Sequence, residues 1–291
     1  MQIPLSPSRA DRRAVLVGGF SLIEIAVVLF IISVLVSIVA IPMATQVDQQ
    51  RVTDTSKQLE IIKEAVIGFA MANGRLPCPA TDGTIYGTSN SNGVESPAGG
   101  GICTVKLGYV PAVTLGVSPV DSAGFAIDAW GTAQNRIIYA VADIANATGA
   151  GCPALGAAHP LTTASGIRAA TMDCFTSQYP PTLSPSKLIT VCSTNPGIAA
   201  GTATACSPSA ATLTSSAPFV VISLGRNAPA GGAGADEAHN IDGKLYAQQD
   251  LVFVSHTVSA AGTPGGEFDD IVVWPSLNTL FGRMVQANKL P

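Results

Sequence analysis

The longest apolar run of the chain lies near its start. From Phe20 to Ile41 the residues are almost all apolar, and Glu24 is the only charged one. At about 1.5 Å per residue, a helix of this length measures roughly 33 Å, which exceeds the ~30 Å hydrocarbon core of a bilayer. The pattern therefore predicts a membrane-spanning helix with one carboxylate near its start, where an unpaired charge is costly.

A second helical pattern follows this run. Between Gln58 and Phe69 the apolar residues recur every three or four positions, at Leu59, Ile62, Val66 and Phe69. This spacing predicts an amphipathic helix whose apolar stripe packs on a globular domain. Gly74, directly after Asn73, predicts the end of that helix.

Short segments rich in Val, Ile and Phe predict β-strands in the rest of the chain. These segments are Arg136–Val141, Lys187–Cys192, Phe219–Leu224, Leu251–Val258 and Ile271–Trp274. Ser276 is a predicted N-cap for a terminal helix that runs to about Gln286. Stretches of Gly, Ser, Thr and Asn between the strands, Ser193–Ser216 among them, predict loops.

These patterns together predict an α+β fold. A long N-terminal helix, membrane-spanning in its first half and amphipathic in its second, packs on an antiparallel β-sheet domain with disulfide-stapled loops. The predicted segments are a leader over 1–19, a transmembrane helix over 20–42, an amphipathic helix over 43–75 and a β domain over 76–291.

Composition and charge narrow the class of protein. The chain has 291 residues, of which 12% are charged, and a net charge of −4. No basic surface typical of nucleic-acid binding is indicated, so we expect no nucleic-acid partner. Arg9, Arg12 and Arg13 precede the apolar run. This bias predicts that the leader stays in the cytoplasm and that the rest of the chain lies on the other side of the inner membrane.

All six cysteines follow the apolar run, at Cys78, Cys103, Cys152, Cys174, Cys192 and Cys206. An exported domain meets an oxidising compartment, and no Cys-x-x-Cys pair or suitably spaced histidine indicates a zinc site. Disulfides are therefore favoured over a metal centre. The sequence leaves the connectivity open, and pairing of nearest neighbours is the working prediction.

The residues around Gly19 carry a motif. A polar basic leader, Gly19 followed by Phe20, Glu24 and a long apolar helix resemble the cleavage signal of type IV pilins and type II secretion pseudopilins. In that family a prepilin peptidase cuts after the glycine and methylates the new amino terminus. The resemblance implies cleavage between Gly19 and Phe20 and N-methylation of Phe20. An uncleaved signal anchor is the alternative. Pro42 resembles the family's helix-kinking proline, one position later.

The same resemblance implies a role for Glu24. The amine of an incoming subunit meets the Glu24 carboxylate of a subunit already in the filament and sets its register. Two opposite charges attract strongly in a medium of low dielectric constant, whereas either one alone is penalised there. The alternative is that Glu24 only reaches towards the lipid headgroups.

Three later segments weakly resemble the major pseudopilin. They are Asp128–Gly131 with Tyr139, Val221–Asn227 and Gly265–Trp274. The last of these holds a calcium ion in that protein, which implies hard oxygen ligands here. The candidate ligands are Asp236, Glu237, Asp242, Glu267, Asp269 and Asp270. A solvated acidic loop without a cation is the alternative, and no other cofactor is implied.

The sequence is thus interpreted as a pilin-like structural subunit, a minor pilin or pseudopilin, of a type IV pilus or a type II secretion system. No common catalytic motif indicates an enzyme. The implied partners are other pilin or pseudopilin subunits, prepilin peptidase, an inner-membrane assembly platform and membrane lipid. The implied location is the inner membrane, crossed once, and then a filament or the cell surface. The alternative is a membrane-anchored periplasmic domain for binding or adhesion that forms no filament.

Overall fold

The computed structural model describes residues 19, 21–84, 88–142, 160–164, 166–170, 188–195, 197, 205–228, 234–245, 251–263 and 265–290. Phe20 and the leader before Gly19 therefore lie outside the described residues, as do Cys152 and Cys174. The side chains of Pro42 and Asp242 also lie outside them. The chain divides into two compact units, Met1–Gln49 and Gln50–Pro291.

The first helix, α1 (Leu22–Asn73), begins in the first unit. The expectation that its first half spans a membrane was wrong. In the part of the chain that the structure describes, none of the helices combines the length and the apolar character that crossing a membrane requires. In the first half of α1 the side chains are described from Leu22 to Ser37, and Glu24 is the only charged residue among them.

The second half of α1 packs on the core of the second unit, as its spacing predicted. Leu59, Ile62 and Val66 are buried, at 0–1% exposure. The helix ends at Asn73, as predicted, because Gly74 adopts a φ of 72° and donates its N–H to the carbonyl of Ala70 at 2.8 Å. A glycine in the left-handed conformation is a common helix terminus.

A four-stranded antiparallel sheet forms most of the core of this unit. Its strands are β1 (Leu107–Tyr109), β2 (Ile138–Val141), β5 (Phe219–Ser223) and β7 (Ile271–Val273), in the order β1-β2-β5-β7. Every residue of the central strands β2 and β5 is buried. Their near-continuous apolar sequences explain why the pattern predicted both strands.

A three-stranded sheet contains β3 (Ile189–Cys192), β4 (Thr212–Ala217) and β6 (Val252–Val254), in the order β4-β3-β6. The strands β3 and β6 are parallel, which corrects the expectation of a purely antiparallel domain. The chain passes through β4 and β5 before it returns to β6, and parallel pairing needs such a long connection. Strand β4 falls in the stretch predicted as a loop, because its exposed Thr and Ser residues carry no apolar pattern.

In the described residues the other α-helices are α2 (Ala112–Leu115), α3 (Gly166–Ala170), α4 (Ala235–Leu245) and α5 (Leu277–Gln286). Helix α5 starts where predicted, because the Ser276 hydroxyl accepts the N–H of Thr279 at 3.1 Å. Helix α4 was expected to be an acidic loop. Asp236 and Glu237 lie in its first turn, where carboxylates stabilise a helix.

Two disulfides, Cys78–Cys103 and Cys192–Cys206, join nearest neighbours as predicted. The third predicted pair, Cys152–Cys174, lies outside the described residues. A disulfide restricts the unfolded chain and typically contributes about 2–4 kcal/mol. Two of the three predicted disulfides are thus confirmed.

Candidate functional site

Three carboxylates meet beside the four-stranded sheet. Glu237 lies in the first turn of α4, and Asp269 and Asp270 lie directly before β7. One carboxylate oxygen of each residue lies within 4.8 Å of the others. We call Glu237, Asp269 and Asp270 the acidic cluster. Its members come from two segments that are distant in the sequence.

Glu237 holds the surrounding segments together. This fully buried carboxylate accepts hydrogen bonds from the Asn227 side-chain amide at 2.9 and 3.1 Å and from the backbone N–H of Asp269 at 2.9 Å. It also accepts the N–H of Gly234 at 3.2 Å. One buried carboxylate therefore accepts hydrogen bonds from three segments: the turn after β5, the start of α4 and the segment before β7.

Several oxygens around Glu237 lack a hydrogen-bond partner within the described structure. Asp270 is 5% exposed, and its Oδ2 accepts from Asn240 Nδ2 at 2.7 Å. The Oδ2 of Asp269 accepts the N–H of Arg226 at 3.0 Å. The remaining Oδ1 atoms of Asn227, Asp269 and Asp270 are buried without a partner. A buried polar atom left unpaired costs about 1–3 kcal/mol, so this arrangement favours a ligand that binds oxygens.

The electrostatics of the cluster point to a ligand of positive charge. Burial raises the pKa of Asp269 to about 6, and the nearby charges of Glu237 and Glu267 add to this effect. Burial also raises the pKa of Asp270 well above its ordinary value, with Glu237 and Asp269 contributing. Carboxylates that share a buried site repel each other when ionised. A cation would remove this repulsion.

The donor set fits calcium. Calcium binds six to eight oxygen ligands, mainly carboxylate and amide oxygens, with flexible geometry. Glu237, Asp269 and Asp270 supply carboxylates, and Asn227, whose side-chain nitrogen donates to Glu237, has a buried amide oxygen without a partner. These residues would hold the ion. A bound ion would neutralise the carboxylates and order the three chain segments that carry these residues.

Two of the predicted ligands, Asp236 and Glu267, lie outside the acidic cluster. Asp236 accepts the N–H of Asn195 at 2.9 Å and faces His256 Nε2 at 3.0 Å. Glu267 pairs with the exposed Arg226 at 3.2 Å. The side chain of Asp242 lies outside the described residues. Asn227 was not among the predicted ligands, although its position in the turn after β5 was an available signal.

The N-terminal residues named by the pilin resemblance are only partly described. Gly19 is exposed, and Phe20 lies outside the described residues. Glu24 lies exposed in the first turn of α1, where its N–H donates to the Ser21 carbonyl at 3.0 Å. A carboxylate in the first turn is favoured by the helix dipole. Cleavage after Gly19, methylation of Phe20 and pairing of Glu24 with an amine stay predictions.

The first turns of α1 expose apolar side chains on every face. The residues from Val27 to Ile32 are consecutive and 49–70% exposed. Six consecutive helical residues cover the whole circumference, because each is rotated by about 100° from the last. Contiguous apolar surface of this kind marks a site that binds another apolar partner.

No family model, curated protein or solved structure matches this chain. The likeness to pilins and pseudopilins accordingly remains a prediction from the residues quoted above.

Calcium is expected to stabilise the protein against heat. At a concentration of 100 times Kd, a ligand of the folded state contributes about 2.7 kcal/mol, or roughly 5–10 °C in Tm for a domain of this size. The measurement is thermal unfolding of EDTA-treated full-length protein in detergent, with and without calcium. Asp270→Asn should remove the shift, whereas Glu267→Gln, which changes the carboxylate paired with Arg226, should keep it. Identical melting curves with and without calcium would contradict the site.

Asp269 is expected to make the calcium-free protein lose stability as the pH rises. Its pKa is about 6 in the folded protein against an ordinary 3.8, so the folded state binds the proton more tightly. The protonated group's contribution is complete below pH 3.8 and is lost as the pH rises through about 6. Asp269→Asn cannot ionise, so its stability relative to wild type should increase across that range. Urea unfolding at a series of pH values measures this difference, and a constant difference would disprove the assignment.

Proposed function

We propose that this chain is a pilin-like structural subunit that assembles through its N-terminal helix into a type IV pilus or a type II secretion pseudopilus. The observation that carries the proposal is the exposed apolar surface on all faces of α1 between Leu22 and Ser37, which contains the single carboxylate of Glu24. The motif of Gly19 and Phe20 directly before this surface supports it.

Burial of apolar surface is the driving force for such an assembly. Fully burying one Val, Leu, Ile or Phe side chain contributes about 1.5–3 kcal/mol. A helix that is apolar on every face, such as Val27–Ile32, is suited to a position surrounded by neighbouring helices. We propose that these neighbours are the corresponding helices of other pilin or pseudopilin subunits.

Burial of apolar surface is non-directional and does not fix the register between two helices. We propose that Glu24 supplies this specificity. Cleavage after Gly19 would place an ammonium group on Phe20, and that group is the cationic partner we propose for Glu24 of the adjacent subunit. A buried carboxylate without a cation is strongly penalised, so only registers that pair the two groups are stable.

The second unit fits a role outside the cytoplasm. It contains the disulfides Cys78–Cys103 and Cys192–Cys206, and disulfides persist in oxidising compartments. We propose that this unit is exported and displayed on the filament or cell surface. Prepilin peptidase, the assembly platform and lipid stay predicted partners. A minor subunit is favoured over a major one, because this chain is longer than major pilins typically are.

The amino terminus of the protein from its native cells tests this proposal. We expect intact and peptide mass spectrometry to find a chain that begins at Phe20 and carries one added methyl group. A chain that still contains residues 1–19 would overturn the proposal. That result would favour a domain for binding or adhesion that forms no filament.

A further inference from the structure

The turn after β5 is in direct contact with the acidic cluster. Gly225 has a φ of 63°, and a Cβ at this position would clash with the carboxylate and carbonyl of Asp269. The next residue, Arg226, donates its backbone N–H to Asp269 Oδ2 at 3.0 Å. A shift of the Asp269 carboxylate therefore alters its contacts with this turn.

The opposite side of the same turn is held by a buried polar network. Asn135 Nδ2 donates to the Gly225 carbonyl at 2.6 Å and to Asp128 Oδ2 at 3.2 Å. The Ser223 hydroxyl donates to Asp128 Oδ2 at 2.6 Å, and its oxygen accepts the Gly225 N–H at 3.3 Å. Asp128, Asn135 and Ser223 are 0–2% exposed. Water is not at hand to replace these hydrogen bonds, so breaking one of them leaves buried polar groups unpaired.

The two residues that flank Asp128 bind helix α1. Gln58 Nε2 donates to the Ile127 carbonyl at 2.7 Å, and the Ala129 N–H donates to Thr55 Oγ1 at 3.2 Å. Thr55 is fully buried. We call these two hydrogen bonds the helix seat. A continuous series of contacts thus joins the helix seat to Asp269.

We propose that cation binding at the acidic cluster is coupled to the helix seat through Gly225, Asn135 and Asp128. Without a cation, the Oδ1 atoms of Asp269 and Asp270 have no partner, so Asp269 and the Gly225 turn are held less firmly and the loop that holds α1 is looser. With a cation, the carboxylates converge and the seat is ordered. The proposal rests on the cation site and needs no assembly of filaments, so the two can fail separately.

Coupling between two sites is reciprocal. If calcium stabilises the helix seat by some factor, then breaking the seat must weaken calcium binding by the same factor. Couplings of this kind usually amount to about 5–150-fold. This reciprocity distinguishes a coupled network from two independent structural features. If the features were independent, breaking the helix seat would leave the calcium affinity unchanged.

Hydrogen exchange of the full-length protein in detergent tests the coupling in one direction. Calcium chloride is added to EDTA-treated protein, and exchange is followed by mass spectrometry in the α1 peptide that contains Thr55 and Gln58. We expect calcium to slow exchange there by about fivefold or more. If calcium slows exchange only in Gly225–Asn227 and Glu267–Asp270, the proposal is overturned.

Calcium titration calorimetry of variants tests the other direction. Gln58→Ala removes one bond of the helix seat, and we expect calcium affinity to fall by about fivefold or more. Ser56→Ala is the matched control, because the Ser56 hydroxyl donates to the Val52 carbonyl within α1. Asn135→Ala removes the side chain that joins Gly225 to Asp128. Calcium should then no longer slow hydrogen exchange in α1.

Each outcome decides the proposal. Equal affinities for Gln58→Ala and Ser56→Ala would overturn it, even if both bind calcium. No calcium binding at all would overturn it together with the cation site, and would leave the filament proposal standing. If Asn135→Ala does not fold, the wild-type exchange and the Gln58→Ala affinity still decide between the outcomes.

Discussion

Glu24→Ala is expected to leave cleavage after Gly19 largely intact and to block incorporation of the subunit into filaments. In the assembled helices the ammonium group of a neighbour would be buried without its carboxylate. Truncating one partner of a buried charge pair costs about 2–5 kcal/mol, which is more than tenfold in association. The measurement is the amount of variant in sheared filaments, compared with processed subunit in cells that carry the assembly machinery.

Two further variants separate charge from shape at this position. Glu24→Gln keeps the size of the side chain and removes its charge, so it should fail to assemble as Glu24→Ala does. Glu60→Ala is the matched control, since Glu60 is exposed on the same helix and pairs with Lys63. Normal filaments from Glu24→Ala would show that apolar burial alone sets the register.

Elements whose signals are local could be predicted from the sequence. The stripe of Leu59, Ile62 and Val66 lies on the core, and Ser276 caps α5, because helical spacing and capping depend only on neighbouring residues. Gly74 ended α1 for the same reason. These predictions required no knowledge of the tertiary structure.

Elements held by distant contacts could not be predicted. Strand β4 has six mostly exposed residues and exists because it pairs with β3. The acidic cluster depends on hydrogen bonds that the Asp269 N–H and the Asn227 side-chain amide donate to Glu237, which no spacing in the sequence reveals. The acidic composition indicated a cation site, but it did not separate Glu237 from its neighbour Asp236, which binds His256 instead. Only the direction of each side chain makes that distinction.

A buried ion pair stabilises the segment that directly follows α1. Arg75 donates two hydrogen bonds to Glu95, at 2.8 and 2.7 Å, and the two residues are 6% and 5% exposed. Glu95 also accepts the N–H of Cys78 at 3.2 Å and the N–H of Gly99 at 3.2 Å. The pair therefore ties the end of α1 to the segment that the Cys78–Cys103 disulfide closes.

Arg75→Met is expected to destabilise the folded protein by about 3–5 kcal/mol, because it leaves the Glu95 carboxylate buried without its cation. The measurement is the urea midpoint of the full-length protein in detergent at an unchanged slope. Arg75→Met combined with Glu95→Gln should regain much of this loss, since the amide oxygen still accepts N–H groups and no buried charge remains. Asp54→Ala, in the exposed pair with Lys57, is the control and should change stability by less than about 1 kcal/mol. An equally small effect of Arg75→Met would mean that water reaches Glu95 and that the pair does not fasten α1.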